Sequence, residues 1–355
     1  MNTRTALAAF IVFCSVASFE RMACAADPVE DFYRGKVATV LIGVSVGGEY
    51  DLHARLMARH LGKHIPGNPT FIAQNMTGAG GLIMANFLYT VAQQDGTYFG
   101  VIQNGFPAMQ AIGKRKVQFD SENFHWIGAI TPTVETMALW KTAGATNVQE
   151  TRLREIPIGS VGNTNITFSF PMMMNEFAGT KFRMIIGYRG GNDINLAMER
   201  GEVGGRNNTW SSWKSTRGDW LKNKDIHIIA YGGPRPGDIG DVPSIESLAT
   251  SEEDRMVIRL VLSGTHLGRP MVAPPGMPAD RVAALRKAFM EMARSPAFQK
   301  EAETMRIDVD PVTGEDMQKV VHEIMRFPAS VKERAAHFVE SVSYAHLTLP
   351  TILRV

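Results

Sequence analysis

The sequence has very little cysteine, and beyond its first residues it has no long hydrophobic run. Both cysteines of the 355-residue chain, Cys14 and Cys24, lie within the first 25 residues. If that segment is removed on export, no thiol remains, which excludes a disulfide framework, a thiolate metal site and a cysteine nucleophile. The apolar run at residues 6–19 is shorter than the roughly 20 residues that a membrane-spanning helix needs. We therefore expect no membrane span.

The chain also lacks an excess of charge of either sign. Its 37 Lys and Arg residues nearly balance 35 Asp and Glu residues, for a formal net charge of +2. Without a basic stripe, nothing indicates a nucleic-acid partner. The pattern Gly-x-Gly-x-x-Gly is absent after the first predicted strand. His60 and His64 would share one helix face, but no glutamate follows the first histidine as in metalloproteases, and a solvated face is the better interpretation. We expect neither a cofactor nor a metal.

The two ends of the sequence differ from the rest. Arg4, the apolar run and Ala-Cys-Ala at residues 23–25 together have the layout of a secretory signal. We therefore expect residues 1–25 to be cleaved and the protein to be exported to the periplasm. Residues 341–355 break the composition of the segment before them and resemble translated adapter or vector sequence, so we treat them as a non-native tail.

Two glycine-rich loops each join a predicted strand to a predicted helix. A β-branched run at residues 37–42 indicates a buried strand, and residues 46–51 (Val-Gly-Gly-Glu-Tyr-Asp) lead from it into helical spacing. A second strand, at residues 70–73, is followed by residues 75–81 (Asn-Met-Thr-Gly-Ala-Gly-Gly) and another helix. A helix N-terminus presents unpaired N–H groups and the positive end of its dipole. Two such loops side by side predict a carboxylate site.

These two loops resemble those of the periplasmic solute receptors of tripartite tricarboxylate transporters, also called Bug receptors. The resemblance extends from about residue 32 to about residue 327. It implies an α/β fold of the two-lobe, Venus-flytrap type, in which each lobe is a mostly parallel sheet flanked by helices. We expect lobe 1 to comprise residues 26–135 and 232–340, and lobe 2 to comprise residues 136–231.

The resemblance also implies a function. In that family the two loops hold a ligand carboxylate through backbone N–H groups and bound water, and loops of the second lobe close over its far end. We therefore expect a monomeric receptor, not an enzyme, that captures a small organic carboxylate and delivers it to the membrane subunits of a transporter. A carboxylate sensor without a transport role is an alternative.

The expected ligand-binding residues come from both lobes. Those of lobe 1 lie on the two loops and after strand ends: Ser45, Gly48, Glu49, Tyr50, Asp51, Thr77, Gly78, Ala79, Gly80, Gly81, Asn104 and Thr131. Those of lobe 2 lie on its polar loops: Asn163, Thr164, Asn165, Gly191, Asn192, Arg206 and Asn207. We expect Asp51 to cap the first helix. We expect the side chain of Glu49 to point outward, because an inward carboxylate would repel an anion.

Two stretches allow other interpretations. Gly43-Val-Ser-Val-Gly47 matches the nucleophile elbow of a serine hydrolase, but an elbow needs its helix to start at the serine, and here glycines follow Ser45. In residues 204–213, Arg206 could pair with a second carboxylate and Trp210 could cover an apolar or aromatic ligand. The same segment is also typical of a surface turn with buried tryptophans. The first interpretation would suit a dicarboxylate or an aromatic acid.

Overall fold

A computed structural model describes residues 27–44, 46–113, 117–162 and 166–344. The strands, in chain order, are β1 (Val37–Ile42), β2 (Thr70–Asn75), β3 (Tyr98–Val101), β4 (His125–Ala129), β5 (Glu135–Trp140), β6 (Ile156–Ser160), β7 (Phe182–Ile186), β8 (Gly205–Thr209), β9 (Ile226–Gly232), β10 (Met271–Ala273) and β11 (Val312–Thr313). The helices are α1 (Pro28–Tyr33), α2 (Glu49–Leu61), α3 (Leu82–Thr90), α4 (Phe106–Ile112), α5 (Val148–Thr151), α6 (Ile166–Ala178), α7 (Gly191–Glu199), α8 (Trp210–Asn223), α9 (Ile245–Leu248), α10 (Glu252–Leu262), α11 (Gly264–Leu267), α12 (Ala279–Arg294), α13 (Pro296–Thr304), α14 (Gly314–Met325) and α15 (Ala329–Tyr344). Short 3₁₀ turns lie at Gly62–His64 and Ala79–Gly81.

In the described part of the chain the strands form two sheets. The first has the order β11-β4-β10-β3-β1-β2, and the second has the order β7-β6-β8-β5-β9. In the first sheet β1 pairs in parallel with β2 and β3, while β10 and β11 run against their neighbours. In the second sheet only β5 opposes the common direction. The prediction of two mostly parallel sheets flanked by helices is confirmed.

The chain passes between the two sheets twice. It leaves the first sheet after β4 and returns to it at β10, after β9 has closed the edge of the second sheet. Strands β1, β2 and β3 are parallel, so their carboxyl ends lie at one edge of the first sheet. In open α/β sheets, ligands bind beyond that edge. The topology therefore places both glycine loops at the edge where a ligand is expected.

Three apolar clusters hold the layers together. One lies between a face of the first sheet and helices α2, α12 and α13. A second is continuous from the opposite face of that sheet to the second sheet, with buried side chains from α6, α10 and α15. A smaller one lies under α7 and α8 and contains Trp213 and Trp220. Because one cluster serves both sheets, the two halves share part of their core.

Some sequence predictions match the elements closely and others fail. Apolar residues at helical spacing after a proline-rich segment predict an amphipathic helix at about residues 279–294, and this helix is α12, with those bounds. The surface-turn interpretation of residues 204–213 is wrong, because β8 lies inside the second sheet between β6 and β5. The capping-box pattern at residues 313–316 predicts a last helix that ends near residue 327. That helix is α14, but α15 follows it and runs to Tyr344, so the expected tail boundary at residue 341 falls within a helix. Within the described residues, no helix has the length and apolarity that crossing a bilayer would require.

Candidate functional site

Helix α2 begins directly at the first glycine loop. Gly48 is its N-cap, with φ of −77° and ψ of 163°, and Glu49 is its first residue. The prediction that Asp51 caps this helix is wrong, because Asp51 lies inside its first turn. From there its carboxylate accepts a hydrogen bond from the N–H of Gly47 at 2.9 Å. An acidic side chain in the first turn can reach back to an amide before the helix, as in a capping box.

Asp51 is the centre of a buried polar network that joins the two loops. Only 1% of its surface is exposed, and it accepts hydrogen bonds from Arg55 Nε at 3.0 Å and Asn75 Nδ2 at 2.9 Å. Asn75 Nδ2 also donates to the carbonyl of Val44 at 2.8 Å, and Arg55 Nη2 donates to Asn75 Oδ1 at 2.7 Å. Burial acts to raise the pKa of Asp51, but the hydrogen bonds from Arg55, Gly47 and Asn75 outweigh it and lower that pKa. The network therefore fixes the first loop against the end of β2.

The second loop has an unusual run of left-handed backbone. Gly78, Ala79, Gly80 and Gly81 have φ values of 132°, 48°, 67° and 92°. Residues with a side chain rarely adopt such values, so three of these four positions suit glycine. The run ends in a 3₁₀ turn, closed by the N–H of Gly81 on the carbonyl of Gly78 at 2.9 Å, and α3 starts at Leu82. The glycines thus turn the chain sharply so that the start of α3 lies beside the start of α2.

A cavity of about 900 Å³ lies between the two sheets, and both glycine loops open onto it. This volume is within the range of small-molecule sites, roughly 300–1,000 Å³. From the second sheet and its helices, Glu135, Ile166, Ser169 and Thr209 reach the same cavity. Seven of the predicted ligand-binding residues line it: Glu49, Tyr50, Thr77, Gly78, Ala79, Gly80 and Asn104.

Tyr50 ties the first loop to the end of β3. Its hydroxyl accepts a hydrogen bond from the N–H of Asn104 at 3.2 Å. Asn104 Nδ2 lies 3.4 Å from the hydroxyl of Thr133, which in turn lies 3.4 Å from the carbonyl of Thr265. The wall of the cavity on this side is therefore a chain of hydrogen-bonding groups from four separate segments.

Glu49 does not point away from the cavity, contrary to the prediction. It lines the cavity wall, and its Oε2 accepts a hydrogen bond from Arg269 Nη2. The side chain of Glu49 is 45% exposed, whereas that of Arg269 is only 4% exposed. An unpaired Glu49 carboxylate at this place would repel an anionic ligand unless a cation neutralised it. Arg269 supplies that cation.

Glu135 is a second carboxyl group in the cavity wall. It is buried, and its Oε2 accepts a hydrogen bond from Asn207 Nδ2 at 3.0 Å. Burial raises the pKa of Glu135 to about 7, although Asn207 and the positive charges of Arg269 and Arg206 oppose the rise. Near neutral pH this group therefore exists partly as a neutral acid, which would repel a bound anion less than a carboxylate does.

Other predicted site residues do not line the cavity. These are Gly48, Asp51, Gly81, Thr131, Gly191, Asn192, Arg206 and Asn207. Thr131 lines a smaller neighbouring cavity. Arg206 is buried in the second sheet, where Nη1 donates to the carbonyl of Gly191 at 2.6 Å and to Asn195 Oδ1 at 3.0 Å. Its guanidinium is used inside the protein and also lies over the ring of Trp213, with Cζ 5.5 Å from the ring centre. Ser45, Asn163, Thr164 and Asn165 lie outside the described residues.

The sequence analysis missed two charged residues of the cavity. Arg269 stands in a segment without a recognisable motif, just before β10, and meets Glu49 across 220 positions of sequence. Glu135 is the first residue of β5, and a glutamate is rarely fully buried. The only sequence signal is a single charge beside an otherwise apolar run in each case, and that signal is weak.

Solved structures with the same fold are solute-binding proteins. A TctC solute-binding protein from Polaromonas matches with a TM-score of 0.65 and 15% identity, over 87% of this chain and 99% of that one. The periplasmic binding protein BugD matches with a TM-score of 0.60 and 18% identity, over 87% and 98%. MatC from Rhodopseudomonas palustris, with bound malate, matches with a TM-score of 0.60 and 16% identity, over 86% and 99%.

The resemblance of the two glycine loops predicted the fold of the Bug receptors, and these neighbours confirm that prediction at the level of the fold. No family model and no curated protein matches the sequence. At these identities the likeness establishes the two-sheet architecture of a periplasmic solute-binding protein. What this chain binds has to be argued from its own site.

Proposed function

We propose that the chain is an exported receptor that captures a small organic carboxylate between its two sheets and delivers it to a tripartite tricarboxylate-type membrane transporter. The observation that carries the proposal is the placement of two helix starts, those of α2 and α3, at one wall of a single 900 Å³ cavity. The N–H groups of a first helical turn have no acceptor within the helix, and the dipole there favours negative charge. One carboxylate between the two helix starts can accept hydrogen bonds from the N–H groups of both helices.

Hydrogen bonds from the loop amides are strong enough to hold a carboxylate ligand without a covalent bond. Hydrogen bonds to charged groups contribute about 1.5–3 kcal/mol each, and micromolar affinity requires about 8 kcal/mol. Three or four amide bonds from residues 49–50 and 77–80 are therefore enough, after discounts for desolvation. We propose that Gly48, Asp51 and Gly81, which do not line the cavity, act by shaping these loops.

The division into lobes belongs to this proposal. We assign residues 26–135 and 232–340 to lobe 1 and residues 136–231 to lobe 2, so that the boundaries lie at the start of β5 and the end of β9. The cavity then lies between the lobes. Closure on a ligand requires only that the ligand bind the shut arrangement better than the open one. We further propose a monomer that reaches the periplasm after cleavage of residues 1–25.

We propose no chemical step at this site. A nucleophile elbow has its helix start at the serine, whereas α2 starts at Glu49, four residues after position 45. The solved neighbours with this fold, TctC and BugD, are solute-binding proteins. MatC is a binding protein solved with malate, an acid of the class that we propose for this chain.

A thermal-shift screen of residues 26–344 tests the function. Mono-, di- and tricarboxylates, aromatic acids and the matching neutral amides are the probes. A ligand at 100 times its Kd stabilises the folded state by about 2.7 kcal/mol. We expect acids to raise the Tm and the neutral amides to leave it unchanged. Stabilisation by uncharged compounds alone would contradict the proposal.

Gly80→Pro tests the loop assignment within that screen. The φ of Gly80 is 67°, and proline requires about −65° and removes the N–H. We expect the variant to fold but to show no Tm shift with any acid. Gly80→Ala is the matched control, because an added Cβ meets nothing within 4 Å and the N–H stays. Alanine at this positive φ costs about 1–2 kcal/mol, so the Tm of each variant is compared with its own ligand-free value. A full shift in Gly80→Pro would refute the site.

A further inference from the structure

Arg269 is a buried cation with few partners. Its side chain is 4% exposed, and among the described residues its recorded hydrogen bond is the one from Nη2 to Glu49. Its Nε is buried and has no hydrogen-bond partner within the same described residues. A guanidinium carries five N–H donors, and a buried charge is costly unless it is paired and hydrogen-bonded. Arg269 therefore has capacity for another acidic partner.

The position of Arg269 is fixed beside the proposed carboxylate site. Its guanidinium lies over the ring of Tyr50, 5.6 Å from the ring centre, and Tyr50 is the second residue of α2. The hydroxyl of Tyr50 is held by the N–H of Asn104. Arg269 also lines the 900 Å³ cavity. A ligand whose first acid group is bound at the start of α2 could therefore reach the guanidinium of Arg269 with its other end.

Glu49, the present partner of Arg269, is far less constrained. Its side chain is 45% exposed, so water can solvate the carboxylate when it separates from Arg269. Glu49 and Arg269 also line a second cavity of about 340 Å³, whose wall carries the hydroxyl residues Thr131, Ser211 and Ser212. A carboxylate that turns away from Arg269 finds polar groups there. The ion pair therefore joins a fixed cation to a movable anion.

We propose that Arg269 determines ligand specificity by binding a second acidic group of the ligand, in competition with the carboxylate of Glu49. The inference rests on the proposed function and deepens it, because it assigns the ligand class as dicarboxylates. Arginine binds carboxylates through two parallel N–H donors, a geometry that a planar acid group of a ligand satisfies as well as a glutamate does. Glu135, in the same wall, adds negative character that opposes a third acidic group.

The experiment compares diacids with their own monoamides. Succinate, glutarate and adipate are titrated by calorimetry against the wild type, Glu49→Gln, Arg269→Met and the double variant, and so are succinamate, glutaramate and adipamate. Each pair differs only in the second acid group. The three lengths show which diacid spans from the loops to Arg269.

Competition predicts a specific pattern. Glu49→Gln raises diacid affinity about tenfold, equivalent to about 1.4 kcal/mol, and leaves the monoamides nearly unchanged. Arg269→Met removes the preference for diacids over monoamides. In the Arg269→Met background, Glu49→Gln gives no further diacid-specific gain, since coupled residues are not additive. Arg269→Lys keeps the charge but not the paired donors, and we expect an intermediate preference.

Other outcomes overturn the inference. If Glu49 acts only by repulsion, Glu49→Gln strengthens the monoamides as well as the diacids, and both gains persist without Arg269. If Arg269 is only structural, Arg269→Lys and Arg269→Met lower the Tm but leave the ratio of diacid to monoamide affinity as in the wild type. Failure of the proposed function is distinct, because then neither diacids nor monoamides bind the wild type. Folding of every variant is checked by circular dichroism, and Glu49→Gln with Arg269→Lys decides the matter if Arg269→Met does not fold.

Discussion

Gly43 and Gly81 bring the two loop backbones into contact: a Cβ atom added to Gly43 would lie 2.9 Å from the Cα atom of Gly81. This contact explains why the loops after β1 and β2 can present their helix starts to one ligand. Gly43→Ala must push the loops apart, because the neighbouring atom is backbone and cannot turn aside. Such overpacking typically costs about 1–3 kcal/mol. We expect a lower Tm and weaker acid binding by calorimetry.

The control for Gly43→Ala is Gly237→Ala, at an exposed turn where an added Cβ meets nothing within 4 Å. We expect this variant to bind acids like the wild type. Equal acid affinities in Gly43→Ala and Gly237→Ala would show that the distance between the loops is not important for binding.

Asp51→Asn should lower the thermal stability of the protein by an amount that depends on pH. The pKa of Asp51 is lowered in the folded state, from an unfolded value of about 3.9. Stability from a lowered carboxyl pKa is present above the unfolded pKa and is lost as the pH falls through the folded pKa. We therefore expect the wild type to unfold at a higher temperature than Asp51→Asn at pH 7, and the difference to shrink below about pH 4.

Thermal unfolding monitored by circular dichroism between acidic and neutral pH measures that difference. Asp31→Asn is the control, because the side chain of Asp31 is exposed and pairs only at the surface with Arg34. Exposed pairs contribute about 0–1 kcal/mol, so we expect little change from the control at any pH. A constant gap between wild type and Asp51→Asn down to the lowest pH would be inconsistent with our account of the network.

Glu135→Gln should stabilise the protein at alkaline pH. Burial raises the pKa of Glu135 to about 7, against about 4.3 in an unfolded chain. Between these two values the folded state binds more protons than the unfolded state, so stability falls as the pH rises. Removing the carboxyl group removes that fall. We expect the Tm of Glu135→Gln to exceed that of the wild type at pH 8, and the advantage to shrink toward pH 5.

The same group should make acid binding depend on pH. The groups around Glu135 are Asn207, Arg269, Glu49 and Arg206. Ionised Glu135 repels a bound anion, whereas the neutral acid does not. We expect diacid affinity to fall as the pH rises through about 7 in the wild type and to stay level in Glu135→Gln, measured by calorimetry at pH 6 and pH 8. His53 does not titrate in this window, because burial and Arg269 lower its pKa to about 3.

Deleting α15 should destabilise the whole chain. Val331, Ala335 and Phe338 of α15 are buried in the cluster that serves both sheets. Burying each large apolar side chain contributes about 1.5–3 kcal/mol. We expect a chain that ends at residue 327 to lose several kcal/mol in chemical denaturation. A chain that ends at residue 344 is the control, and we expect it to match the full chain. Equal stability of the two shortened chains would contradict this expectation.

The parts of the fold that local chemistry determines could be predicted from the sequence. The helix α12 has apolar residues at helical spacing and follows a proline-rich segment, and its predicted bounds were right. The glycine loops were also recognised. Left-handed backbone at Gly78, Gly80 and Gly81 favours glycine at each position, and few other turns have so many glycines in so short a stretch.

The missed parts depend on contacts between distant segments. The polar residues Arg206 and Asn207 suggested a turn, but their side chains find buried partners in Asn195 and Glu135, which allows β8 to be an interior strand. Asp51 looked like a cap because its helix seemed to begin one turn later than it does. Arg269 could not be assigned, because the charge it faces, Glu49, is 220 positions away.

The ring contact between Phe177 and Phe338, with centres 5.5 Å apart, joins α6 beside the second sheet to α15. Helix α15 also packs on α10 and α4, which belong to the half of the molecule built on the first sheet. The two halves are thus linked by side-chain packing as well as by the two covalent passages, and Lys214 of α8 adds an ion pair with Asp308 at 2.8 Å. The proposed opening of the cleft therefore has to displace these contacts as well as bend the two passages. We therefore expect Phe338→Ala, remote from the cavity, to change the rates at which ligand enters and leaves, measured by stopped-flow fluorescence.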